Sequence, residues 1–393
     1  MASIVTMAMG LGMTACSRTY TVGYVYMTTA KANPGLINGY EVDYQSGTLN
    51  PLSDSPIPTG GRNPVSLVAS PSGKFIYVLN HDDSTVADFA IGSDGKLYPQ
   101  TVYNLGAGTN AASLPSFPTA ASIDPTGKFL YVTFTYQGGY TTALPGPGGV
   151  AIFPINADNS LGTPTAVNAG RNPVGVTATS TNHFVYVIDQ DSATTLNLLA
   201  FSANATTGAL TPLPGVTINN GNVPSTGFGS GITPSAIIED AGSQHLYVTD
   251  STANQLLTYS IGGNGIPTQI ASAATDAGPA GLTIDITGKY LYVANYTAGT
   301  LSGYTFGTNG QPLVSTVAAS VQSGTGPTCI TTIGVPTDAN SSHAIYMYVS
   351  NALSNTLTGL QMDPTNGSLK QIQNTPFSGS ALPSCVVSVP SFR

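Results

Sequence analysis

Charge is what this sequence has least of. Asp, Glu, Lys and Arg together make 7% of its 393 residues, where soluble domains carry roughly a quarter. Only 10 residues are Lys or Arg against 18 Asp or Glu, a formal net charge of −8. Nucleic acid is therefore excluded as a partner, because gripping phosphates takes a clustered basic surface. Long apolar runs are missing too: no stretch reaches the roughly 18 uncharged apolar residues of a membrane-spanning helix. Glycine-rich phosphate loops, nucleophile elbows and metal-spaced Cys/His clusters are also absent from the sequence, so no cofactor and no metal is expected. Disorder does not follow from the low charge, since 41% of the residues are apolar. What abounds is Gly (45) and Pro (28), with many Thr, Ser and Asn, the composition of short strands joined by tight turns.

Those strands repeat. Tyr-Val pairs recur at Tyr24-Val25, Tyr77-Val78, Tyr131-Val132, Tyr186-Val187, Tyr247-Val248, Tyr292-Val293 and Tyr348-Val349. The fullest copy reads Pro64-Val-Ser-Leu-Val-Ala-Ser-Pro-Ser-Gly-Lys-Phe-Ile-Tyr-Val-Leu-Asn80, and it returns from Pro118, Pro173, Pro234 and Pro279. A sixth copy, from Pro327 to Asn351, carries an insertion. Self-similarity at a period of about 45–60 residues marks a propeller or another repeat array. Each copy offers a Pro-led apolar strand, a turn such as Asp124-Pro-Thr-Gly-Lys, the Tyr-Val strand, a third alternating strand and a short outer one such as Gly95-Lys-Leu-Tyr-Pro99. Four antiparallel strands of this kind make one propeller blade.

The ends complete the count. The N-terminus opens on a Tyr-Val strand without its Pro-led partner, and the C-terminus ends on Pro383-Ser-Cys-Val-Val-Ser-Val with nothing after it. Joined, they form a seventh blade with its inner strand from the C-terminus and its outer three from residues 20–53. The expectation is an all-β, seven-bladed β-propeller of four-stranded antiparallel blades, closed by a blade shared between the termini. Two residues after each leading Pro stand Ser66, Ala120, Gly175, Ala236, Gly281, Cys329 and Cys385, all small, as inner strands crowding an axis require. Two readings stand for the Cys329 and Cys385 pair in adjoining blades: a disulfide, or two small buried apolar residues.

Residues 1–15 read as a signal peptide. An apolar run, Ile4 to Met13, leads into Met13-Thr-Ala-Cys16-Ser17, similar to the lipobox at which bacterial lipoproteins are cleaved and acylated. On that reading Cys16 is lipidated, residues 16–19 are a tether, and residues 20–393 form the propeller. Membrane contact is then through the lipid anchor alone, and the location is the bacterial cell envelope. The competing reading is a frayed N-terminus with an incidental Cys.

Over residues 20–393 the Pro-led strand, the Pro-x-Gly-Lys turn and the Tyr-Val-x-Asn strand resemble the 6-phosphogluconolactonase-like, or YVTN-repeat, seven-bladed propellers. That resemblance implies a propeller fold and, in the enzymes of the family, lactone hydrolysis. It also implies a site at one mouth of the channel, with Pro-Arg-His and Pro-His at the heads of inner strands and Asn-Glu at the end of a second strand. Here the residues after the leading Pro are Val65, Thr119, Val174, Ser235, Ala280, Thr328 and Ser384. The Asn-Glu place reads Asn80-His81, Phe134-Thr135, Asp189-Gln190, Asp250-Ser251, Asn295-Tyr296 and Asn351-Ala352. The family's Arg, His and Glu do not carry over.

Strand order gathers other polar residues at that mouth: Arg62, His81, Asp82, Asp83, Arg171, Asp189, Asp191 and Asp250, with long insertions at 104–117, 135–149 and 214–233. These are the candidate ligand-binding residues, and His81, Arg62 and Arg171 are the candidate catalytic ones. Blander readings stand beside them. The arginines can pair with Asp residues of neighbouring blades, and His81-Asp82-Asp83 can be a solvated turn. Asp124, Asp240 and Asp285 recur at the opposite turns as turn formers, His183 and His245 read as surface positions, and Glu41 and Glu239 show no partner. The expected function is a ligand- or protein-binding scaffold taking a small molecule, a cell-wall sugar or an envelope protein on its loop-rich face. The alternative is a lactone or ester hydrolase with His81 as general base and Arg62 or Arg171 polarising the carbonyl.

Overall fold

The computed structural model describes residues 21–106, 116–135, 148–190, 195–217, 227–307, 310, 312–314, 321–334 and 344–391. Seven antiparallel sheets of four or five strands make up the chain, and no α-helix occurs among the described residues. In the first complete blade Pro64–Ala69, Phe75–Asn80, Thr85–Ile91 and Leu97–Asn104 pair in chain order. The innermost strands close a circle. Pro64–Ala69 touches Phe117–Ile123, and the contacts continue through Pro173–Ala178, Pro234–Glu239, Pro279–Ile284, Pro327–Gly334 and Pro383–Pro390 back to the start. Seven apolar clusters fill the seven seams between blades. The core is therefore a ring of inter-blade layers, each formed because successive strand residues face opposite neighbours.

The termini share a blade, as the repeat predicts. Thr21–Thr29 pairs with Pro383–Pro390 on one side and Leu36–Asp43 on the other, with Leu49–Pro51 outermost. The phase of this copy differs from the one read off the sequence. Tyr77 opposes Val68, one residue before the pair Val78 and Leu67, and the residue opposing the corresponding Val387 is Tyr26, not Tyr24. The Tyr-Val place of the seventh blade is thus Tyr26-Met27. The slip is by two residues, which keeps each side chain on its own face of the strand, so hydrophobic alternation could not reveal it.

Hydrogen bonding shows what the repeated tyrosine does. Tyr26, Tyr77, Tyr131, Tyr186, Tyr247, Tyr292 and Tyr348 each donate a phenol proton to a main-chain carbonyl in the next blade, at 2.5–3.4 Å. The acceptors are Gly95, Asn159, Gly208, Gly265, Gly310, Gly367 and Gly47, all in the left-handed conformation of the turn between the two outermost strands. Glycine suits six of these turns because it enters that region without a Cβ penalty, and Asn is the next most tolerant residue. Tyr24, Phe129, Phe184, His245, Tyr290 and Tyr346, two places before the tyrosines, lie so close over the turn glycines that a Cβ there would stand within 2.6 Å of a ring atom. Tyr24 belongs to this second set. Burial pushes the ring tyrosines' phenols above their ordinary pKa, which keeps them protonated and donating.

One seam has a covalent tie. Cys329, on an inner strand, and Cys385, on the C-terminal strand that completes the ring, form a disulfide with Cα atoms 4.9 Å apart and a sequence separation of 56. Restricting the unfolded chain by a loop of this length is worth about 4 kcal/mol. At the small inner positions space is short: a Cβ on Gly281 would sit 2.2 Å from the carbonyl oxygen of Thr328 on the neighbouring inner strand.

Candidate functional site

Inner strands begin, and second strands end, on one side of the ring. This head side carries the loops named above, and the opposite side is the tail. Each inner strand opens with a register shift spanning the residue after its leading Pro. Val65, Thr119, Val174, Ser235, Ala280, Thr328 and Ser384 are therefore the extra residues of seven β-bulges, a feature that re-aims a side chain. These are the positions at which the resemblance predicts Arg and His in enzymes.

The four hydroxyls among them are tied into the fold. Thr119 shares a hydrogen bond with Thr133 and donates to the carbonyl of Pro173 in the next blade, at 2.8 and 2.7 Å. Ser235 repeats this with Thr249 and Pro279, at 2.8 and 2.6 Å. Thr328 pairs with Ser350 at 2.9 Å and Ser384 with Thr28 at 2.8 Å. Where the bulge residue is apolar its partner is apolar too: Val65 stands by Leu79, Val174 by Ile188 and Ala280 by Ala294 in the strand alignments. Matching polarity across the pair leaves no buried hydroxyl unpaired. These coupled pairs escaped the sequence reading, although the spacing of 14 recurs in the Thr119–Thr133 and Ser235–Thr249 pairs.

Arg62, Asn63, His81, Asp82 and Asp83 come together in the first blade. Asp83 accepts from the Arg62 main-chain N–H at 2.7 Å, and its Oδ1 meets the guanidinium at 2.6–2.7 Å. The expected partner in a neighbouring blade is thus replaced by one in the same blade, because Asn63, with φ 51°, folds the loop back over its own second strand. Arg62 holds the Asp83 carboxyl below the usual carboxylate range, and Asn63, with His81, does the same for Asp82. Asp82 Oδ1 meets Asn63 Nδ2 at 3.0 Å and His81 Nδ1 at 2.8 Å. The His81 ring stacks on Phe117 of the second blade, centroids 5.0 Å apart. Phe117 was not foreseen, though an aromatic beside the leading Pro was there to be noticed.

Asp189 and Asp250 serve the chain instead. Both are 1% exposed. Asp189 accepts the N–H groups of Arg171 and Asn172 at 3.0 and 2.6 Å. Asp250 accepts four, from Ile232, Thr233, Thr252 and Ala253, at 2.7–3.1 Å. Gly170 and Gly231 let each loop lie against its carboxylate, where a Cβ would come within 2.2 Å of a carboxylate oxygen. These carboxylates shape the loops before Pro173 and Pro234. Arg171 is half-buried beside Asp189. Asp191, Cys16 as the expected lipidation site, and most of the long insertions lie outside the described residues.

At the tail, Asp124 and Asp285 each receive main-chain N–H bonds of the following turn, from Lys128 and Phe129 or Lys289 and Tyr290, at 2.6–2.9 Å. They are turn formers, as read. Asp240 does the same and also pairs with His245 Nδ1 at 2.7 Å, so His245 is a packed residue and not a free surface one. Glu41 accepts from Thr21. A cavity of about 290 Å³ opens on this side between the second and third blades, lined by Lys128, Phe129, His183 and Phe184 among others. None of the head residues reaches it.

The family described as "Lactonase, 7-bladed beta-propeller" matches residues 17–134 and 224–344. No curated protein matches in sequence. Among solved structures, the periplasmic gluconolactonase of Pseudomonas aeruginosa superposes with a TM-score of 0.72 at 18% identity, covering 94% of this chain and 99% of its own. A Bacteroides fragilis protein provisionally named a 6-phosphogluconolactonase gives 0.70 at 20% identity, covering 95% and 99%. A Lactobacillus plantarum protein gives 0.68 at 17%, covering 93% and 99%. At these identities the likeness is one of fold.

Proposed function

Since this chain belongs to the lactonase family of seven-bladed β-propellers, we propose that it uses the family scaffold for recognition: an exported, lipid-anchored propeller that binds a ligand or protein partner on its head face. One observation carries the reading. Head-side groups divide into those bonded inward and those left outward. The bulge hydroxyls, Asp189 and Asp250 are bonded inward. The exposed set is Arg62, at 51% side-chain exposure, with Asp82, at 43%, and the apolar Ile232, Tyr296, Leu353 and Leu382 on four successive blades. Exposed aromatic, apolar and Arg side chains are what recognition surfaces use. Strand direction supports the anchor: Thr21 enters on the tail side, and the five residues from Cys16 span at most about 17 Å. A lipid at Cys16 would thus hold the tail toward the membrane and leave the head outward.

Thermal unfolding against cell-wall sugars, sugar lactones and envelope proteins tests this. A binder gives a saturable rise in Tm that Leu353→Asp or Arg62→Glu removes, and no shift with any of these classes would sink the reading. A second reading rests on the His81–Asp82 pair, in which a carboxylate orients an imidazole as a base is oriented. Lactone hydrolysis that is abolished in His81→Ala would favour it, and hydrolysis unchanged by that substitution would clear His81.

A further inference from the structure

Glu239 closes the inner strand Pro234–Glu239 at the tail of the fourth blade. It is the one acid on an inner strand, and its residue type occurs only twice in the chain, here and at Glu41. Its Oε2 is fully buried with no hydrogen-bond partner. Alternation along the strand turns Glu239 the same way as Ile237, which packs in the seam with the third blade. Across that seam lie the Ser180 and Thr181 main-chain N–H groups. Both are already directed at Ser243 Oγ, at 2.8 and 3.2 Å, and the Ser180 and Ser243 hydroxyls share a bond of 2.6 Å.

Charges around it give no relief. From the third blade comes Tyr186, a neutral phenol whose proton goes to Gly265. From its own blade comes Asp240, an anion bonded to His245, and His245 lies over Gly310 of the fifth blade, on the other side of the sheet. His183 belongs to the cavity on the far side of the third blade. No ion pair of the described residues includes Glu239.

We propose that Glu239 is a proton-operated latch on the seam between the third and fourth blades, neutral when the seam is closed and loosening it on ionisation. A neutral carboxyl can give its proton to the serine hydroxyls and carry no charge into the seam. An ionised one places a negative charge where one oxygen has no donor and the nearest charged group is also an anion. Burial, outweighing the Ser243 and Ser180 bonds, raises its pKa to about 7, so the latch would work near neutrality.

The chain's two glutamates make the test direct. With carboxyl-¹³C glutamate incorporated into the whole protein, two side-chain signals appear, and Glu239→Gln deletes one. The expected result is that the signal so deleted titrates near pH 7. Amide exchange at Ser180, Thr181 and Ser243 should accelerate about tenfold or more from pH 6 to 8, beyond the intrinsic rise, in the native protein but not in Glu239→Gln. If the signal lost in Glu239→Gln titrates below pH 5.5, or if the exchange profiles of the two proteins coincide, the latch is overturned. Glu239→Gln is nearly isosteric, and the head-face binding test is separate from both readouts.

Discussion

The head and tail ends of the fourth blade each carry an acid, Asp250 fully buried and Glu239 half-buried with one buried oxygen, and the two differ above all in the donors supplied to them. Asp250, at the head, is 1% exposed and receives four main-chain N–H groups. Glu239, at the tail, has one oxygen buried with none, while the Ser180 and Thr181 N–H groups across the seam also reach Ser243 Oγ. The Asp250 carboxylate organises a loop, while that of Glu239 is a liability at high pH. Burial of an acid is thus a weak guide to function until its donors are counted.

The largest effect should come from breaking the satisfied end. Asp250→Ala leaves four N–H groups without their acceptor and should cost about 4 kcal/mol in urea unfolding, with Asp250→Asn costing about half. A loss below about 1 kcal/mol would mean that solvent satisfies the loop and that the two ends are alike. Next comes the unsatisfied end. Glu239 has its folded pKa raised from 4.5 to about 7, so between those values the folded chain holds a proton that the unfolded chain has released. Stability therefore falls as pH rises through that window, and above it the full cost, on the order of 2–3 kcal/mol, is present. Glu239→Gln should unfold like the native protein at pH 4.5 and at higher denaturant at pH 8. Equal displacement at both pH values would show that the residue acts through shape alone.

Much of the ring was legible, because turn glycines, leading prolines and Tyr-Val pairs recur wherever the same backbone recurs. The seventh blade could be assembled from both ends on that basis. Its phase could not, since Tyr24 and Tyr26 lie on one face and only pairing with Val387 tells them apart. The head-side site was legible as a neighbourhood but not as chemistry. Asp189 and Asp250 end their second strands at the place of Asn80, two and three residues before the places of Asp82 and Asp83, and the direction of loop N–H groups, which separates the two sets, appears only in three dimensions. Glu239 stood in plain view as a lone acid in an apolar strand. The Ser180 and Ser243 hydroxyls that surround it come from turns 63 residues apart.

The comparison extends to the seams. Six tie adjacent blades by a tyrosine bond and packing, whereas the seam at Cys329 and Cys385 adds a disulfide. Tyr292→Phe removes one proton donor and leaves the Gly367 carbonyl without it, for an expected loss of about 1 kcal/mol in denaturant unfolding. Tyr26→Phe should cost the same, its bond to Gly95 being of equal length at 2.6 Å. A cost several times larger at one of the two would mean that the seams are unequal in ways their hydrogen bonds do not show.

The smallest effect belongs to the outward pair. Arg62 and Asp83 are bonded at 2.6 Å with side-chain exposures of 51% and 31%, and exposed ion pairs contribute about 0–1 kcal/mol because water competes for both charges. Arg62→Ala should therefore leave the unfolding midpoint almost unmoved, and still less changed in high salt. Asp83 also accepts the Arg62 main-chain N–H, a bond the substitution leaves in place, so the loop should persist. If Arg62→Ala instead destabilises as much as Asp250→Ala, the guanidinium is part of the scaffold and the division of head-side groups into inward and outward sets fails. A small loss of stability joined to a lost ligand-induced rise in Tm is the pattern a recognition residue should give.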